Sequence, residues 1–147
     1  MNHKVILLGL YVITFAVNLF TSIKYPDANI GIQHIAVSLV LFSYVLFFIS
    51  KEIRNKRVIS KLKIFLLLGA VVNIAVYVIN LFEGRVMDLV ANIQYPAFLL
   101  FTTPLFGLNM LSNLNVGSFS LIIALIYAVT IIFMKILPVV YKKKQVI

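Results

Sequence analysis

His34 and Ser38 stand four residues apart, one turn of a helix, and are this chain's nearest approach to a base beside a nucleophile. Nucleophilic catalysis also needs a third group to orient the imidazole and donors to hold the oxyanion. The surrounding run, GIQHIAVSLV, offers neither. A metal site needs several converging ligands, and His3 and His34 are separated by a whole apolar segment. The chain has no cysteine, which excludes disulfides, thiol catalysis and thiolate metal sites. Glu83 and Asp88, five residues apart in polar surroundings, suit a solvated loop rather than an acid–base couple. No glycine-rich loop is present to cradle phosphate. The residue inventory therefore points away from an enzyme, and it predicts no metal and no cofactor.

Neutral polar residues inside long apolar runs are what remain. In lipid such side chains turn toward one another, because the alternative is an unpaired polar group in hydrocarbon. Tyr11, Thr14, Asn18 and Thr21 share one helical face; Gly31, His34 and Ser38 share a second. Gly69, Asn73, Tyr77, Asn80 and Gly84 form a third stripe, and Ser120, Ala124 and Ala128 form a small-residue face that lets backbones approach closely. Asn18, Gln33, His34, Tyr77 and Asn80 all lie toward the same end of their segments. They form a candidate polar pocket in which His34 is the one group that titrates near neutral pH. The tripeptide Asn-Leu-Phe occurs twice near that end, at Asn18 and at Asn80.

The elements that must position these residues are membrane helices. A chain of 147 residues that is 63% hydrophobic and 12% charged cannot bury its apolar surface in one water-soluble core. Crossing about 30 Å of hydrocarbon takes about twenty apolar residues. Val5 to Ile23, Ile30 to Ser50, Ile64 to Phe82 and Val116 to Met134 meet that length without Asp, Glu, Lys or Arg. The first run exceeds a typical signal-peptide core and lacks an A-x-A-like cleavage site, so it is expected to persist as a helix. Between the third and fourth spans, residues 83–115 form a long apolar connection broken by Pro96 and Pro104. Two short helical pieces are predicted, about Pro96 to Thr102 and Pro104 to Ser112, with Thr103 capping the second. Irregular backbone at membrane depth survives only where protein or water covers it, so this segment is expected to dip between the helices or lie over them as a lid.

Charge orders the topology. The connector 51–63 carries Lys51, Arg54, Lys56, Arg57, Lys61 and Lys63 against the single acid Glu52, and the tail after about residue 137 carries Lys142, Lys143 and Lys144. Short basic loops stay cytoplasmic. Four spans place Lys4, the connector, Lys135 and the tail on one side, leaving Lys24 and Arg85 on the other with Asp27, Glu83 and Asp88. Counting Ile93 to Leu111 as a fifth span would throw the tail outward and erase that asymmetry. Tyr25 and Tyr95 then mark the outer interface and Tyr141 the inner one. The connector cations are candidate contacts for anionic lipid heads, and nucleic acid is excluded for want of a folded module around them.

The fold expected is thus all-α, one integral membrane domain of four spanning helices with a proline-broken outer segment. The function expected is that of a small non-enzymatic protein of a bacterial plasma membrane, both termini cytoplasmic. It would bind an outward-facing ligand, another membrane protein or a second copy of itself, in an accessory, regulatory or self-protection role. The alternative is an oligomeric small-solute transporter or channel component.

Overall fold

The computed structural model describes residues 2–27, 29–82 and 88–143, with side chains outside 88–94 and 139–143. Glu83, Gly84 and Arg85 lie outside the described residues, as do Lys144 and the side chains of Asp88, Gln94, Tyr141, Lys142 and Lys143. Among the described residues four helices are long and apolar enough to cross a membrane: α1 His3–Lys24, α2 Ile32–Glu52, α3 Lys56–Leu81 and, last in the chain, α5 Val116–Lys143. Between α3 and α5 come a shorter helix, α4 Asp88–Thr102, and a 3-10 segment, Thr103–Leu111. The fold is an all-α four-helix bundle holding a broken hydrophobic segment.

Local chemistry sets the helix ends. The Asn2 side chain accepts from the Lys4 N–H and so caps α1, while Asn55 accepts from the Val58 N–H and caps α3. The predicted connector 51–63 is therefore a turn of three residues, 53–55. Lys51 lies in the last turn of α2, Arg54 sits in the turn, and Lys56, Arg57, Lys61 and Lys63 ride the first turns of α3. Lysine and arginine are good helix formers, and outside the hydrocarbon nothing stops the helix from starting early.

Two antiparallel pairs make the frame. Thr14, Asn18 and Thr21 of α1 meet Val37, Ser38 and His34 of α2. In the other pair Asn80 of α3 lies on Gly117 of α5, and Gly69 lies on Tyr127. A Cβ at Gly69 or Gly117 would overlap the facing side chain, so small residues set the approach of these helices. The two pairs touch each other little directly; α4 packs on α3, and the 3-10 segment packs on α1 and α2. The broken segment is thus a wedge between the pairs. It enters and leaves from the face opposite the basic one, and its tip reaches the level of Asn18, Asn73 and Tyr127, near the middle of the spanning helices.

Pro96 lies inside α4 instead of opening it, because the helix begins eight residues earlier, at Asp88. The break falls at Thr102–Thr103, and Pro104 explains it. Proline has no N–H, so the Leu100 carbonyl loses its α-helical donor and the Phe101 carbonyl loses its 3-10 donor. Thr103 does not cap the second piece; its hydroxyl pairs with Ser22 of α1 at 3.0 Å. Phe106, fully buried, anchors the segment edge-on against Tyr25, Phe98 and Phe119. Asn109 then fastens the exit, accepting from the Leu114 N–H and donating to the Leu114 carbonyl. Asn113 at φ 47° turns the chain back into α5, a left-handed conformation that asparagine tolerates.

Candidate functional site

The carbonyls released by Pro104 find donors on two different helices. Tyr11 of α1 donates its hydroxyl to the Leu100 carbonyl, and Tyr127 of α5 donates to Phe101 at 2.5 Å. The Pro104 carbonyl accepts from Asn18 Nδ2 and from Ser38 Oγ, each at 3.2 Å. On the other flank Thr102 donates to Asn73 Oδ1 at 2.7 Å, while Asn73 Nδ2 donates to the Gly69 carbonyl of its own helix. Among the described residues no buried side-chain nitrogen or oxygen lacks a partner. Tyr11, Asn18, Ser38 and Asn73 of the polar stripes thus serve to hold irregular backbone at membrane depth.

The bonds around Asn18 run in one direction. Its Nδ2 faces the Pro104 carbonyl, which can only accept, so Oδ1 must face His34 Nδ1, 3.1 Å away. An amide oxygen only accepts, so Nδ1 carries the hydrogen, and Nε2 on the other side of the ring lies 3.3 Å from Thr21 Oγ1. Asn18 Nδ2 also donates to Ser38 Oγ at 3.0 Å. The chain Thr21, His34, Asn18, Ser38 ends on the Pro104 carbonyl. Gly107 completes the seat: a Cβ there would overlap the His34 carbonyl, so the 3-10 backbone lies directly on the α2 backbone.

Of the five predicted pocket residues, Asn18 and His34 are brought together in this way. Gln33 is exposed and folds back over Gly31, while Tyr77 and Asn80 lie across the wedge on α3, where Asn80 packs on Gly117. The broken segment packs between α1 and α2 on one side and α3 on the other, so it lies between the two groups. Open polar space lies above it: a cleft of about 300 Å³ lined by Tyr25, Pro26, Asn29, Ile30, Met110 and Asn113. Tyr25 donates to Asn113 Oδ1 at 3.2 Å across one wall. The six connector cations gather on the opposite, basic face, where Lys51 Nζ also lies 5.6 Å from the Phe47 ring centroid. His3, at that same face, faces the Tyr44 hydroxyl at 3.2 Å. Among the described residues no three His, Cys, Asp or Glu side chains gather as a metal site would require.

Sequence reasoning missed Tyr127 and the cleft. The signal for Tyr127 was present, since a tyrosine in the middle of an apolar span needs an acceptor and Pro104 strands carbonyls that need a donor. The cleft carries no such mark, because its residues come from two loops far apart in the chain. No protein-family model, curated protein or solved structure matches this chain.

Proposed function

We propose that this chain is a non-enzymatic integral protein of a bacterial plasma membrane, with both termini in the cytoplasm, that binds its ligand or the polar part of a membrane partner from outside. The observation that carries the reading is the cleft of Tyr25, Asn29, Met110 and Asn113 set over a floor whose polar groups already have partners. A ligand bound at the floor would have to break existing bonds; one bound in the cleft meets exposed amides and a tyrosine. The lining is uncharged and part apolar, which suits a small neutral group with hydrogen-bonding atoms. The outward direction rests on the basic face lying opposite.

A bifunctional, impermeant, thiol-reactive photocrosslinker tests this in intact cells, since the chain has no thiol of its own. Asn29→Cys should label and capture one dominant adduct, Leu111→Cys outside the cleft should label without it, and Asn55→Cys should stay unlabelled. Labelling at Asn55 would reverse the orientation; identical adducts at Asn29 and Leu111 would remove the cleft as the binding site. A second reading, the transporter or channel component, draws support from a broken helix ending at membrane depth. Solute-dependent flux in liposomes at defined protein content would favour it over the first.

A further inference from the structure

On the basic side of the wedge the two helix pairs are not filled by the broken segment. A groove of about 270 Å³ runs between α1 and α3, lined by Leu7, Leu8, Tyr11, Phe48, Leu62, Phe65 and Leu100, with Lys4 as its one charged residue. Behind it lies a smaller apolar cavity of about 80 Å³ under the tip, where Leu7, Tyr11, Leu62 and Phe65 line both spaces. Leu8 and Leu100 are exposed at the rim, so the groove opens sideways to the bilayer. From Lys4 to Tyr11 is seven residues of helix, roughly 10 Å at 1.5 Å each. That is about the depth from the headgroup level toward the midplane of a hydrocarbon core of about 30 Å.

We propose that this groove binds one acyl chain of an anionic phospholipid from the leaflet on the basic side, with Lys4 holding the headgroup. Charge selects the occupant. Of the four acids in the chain only Glu52 belongs to the basic side, and it accepts a hydrogen bond from Asn55. The apolar lining suits an acyl chain and offers a peptide backbone almost no hydrogen-bonding partner. The chain end would lie at Tyr11 and Leu100, the pair that caps the broken helix, and keep water from that bond. This site is separate from the outward cleft and does not depend on which face is cytoplasmic.

The chain contains no tryptophan, so Leu8→Trp places a single, selectively excitable indole at the groove rim. In phosphatidylcholine vesicles containing a minor fraction of a brominated lipid, brominated phosphatidylglycerol should quench it with about fivefold higher apparent association than brominated phosphatidylcholine. Val71→Trp, lipid-facing on α3 and outside the groove, should show no such preference. Adding Lys4→Gln to Leu8→Trp should abolish the preference while leaving quenching by phosphatidylcholine unchanged. Equal quenching by the two lipids at Leu8→Trp, an equal preference at Val71→Trp, or a preference that survives Lys4→Gln would each overturn the proposal. Both leaflets share one composition in such vesicles, so insertion direction does not affect the result.

Discussion

In the half of the molecule away from the basic face, α1 and α2 grip the broken segment through Asn18 and Ser38 on the Pro104 carbonyl and Ser22 on the Thr103 hydroxyl. In the basic half the same helix pairs face each other across Leu7, Leu41, Phe42, Val45, Leu62, Phe65 and Leu66 and leave a cavity between them. The first contact is directional, since a buried carbonyl in irregular backbone must be met by a donor at one place. The second is not; apolar side chains in lipid gain little by finding one particular neighbour, because lipid tails are equally apolar. One half therefore fixes the position of the backbone, and the other leaves room that a chain of similar chemistry can enter.

Four substitutions would break or sharpen that contrast. The largest effect is expected from Gly107→Val in the gripping half. Its side chain would collide with the His34 backbone, which cannot move aside as a side chain would, and unseat the 3-10 segment at a cost of roughly 4 kcal/mol or more. Thermal unfolding or size-exclusion behaviour in mild detergent should show loss of the folded protein. A well-folded Gly107→Val protein would mean that the wedge does not lie against α2 as described.

Next come the two asparagines of the repeated Asn-Leu-Phe. Asn18→Leu removes the bonds to His34, Ser38 and Pro104 and is expected to cost about 2–3 kcal/mol. Asn80→Leu, at a half-buried site packed on Gly117, should cost less than about 1 kcal/mol. Equal losses measured by unfolding in the same detergent would erase the distinction between a residue that holds the wedge and one that lines a helix seam.

The smallest effect belongs to the basic half. Val45→Ile adds one methyl group toward the cavity and is expected to leave stability within about 1 kcal/mol of wild type, with a gain more natural than a loss. A large loss would show that the cavity wall is packed as tightly as the tip.

Much of the architecture was legible because lipid imposes simple rules. Four uncharged runs of spanning length predict four helices, and they are there; Pro104 and the two threonines mark the break, and the helix changes type at Thr102–Thr103. Asn73 carries a polar group into the midplane, and its partner is the end of α4. Pro96 was harder to read. A proline suits a first turn, yet in lipid a helix interior also accepts it when neighbouring protein or local adjustment serves the freed carbonyl.

What the sequence determined by itself is set by composition and by single residues: the solvent of the chain, the number of spans, the gathering of cations on one face, and the point where the broken segment loses its donors. These follow from length, charge and the missing N–H of proline, none of which depends on distant parts of the chain. Only the tertiary structure decided which donors serve the stranded carbonyls, that Asn18 and His34 are joined while Tyr77 and Asn80 stand across the wedge, and that polar space opens at Tyr25 and Asn113 and apolar space beside Lys4. The physical reason is that a periodic stripe gives the face of a helix but not its neighbour. Four helices and one wedge can be paired in several ways that satisfy every stripe, and the close approach of Gly107 to α2 is among the contacts that select one.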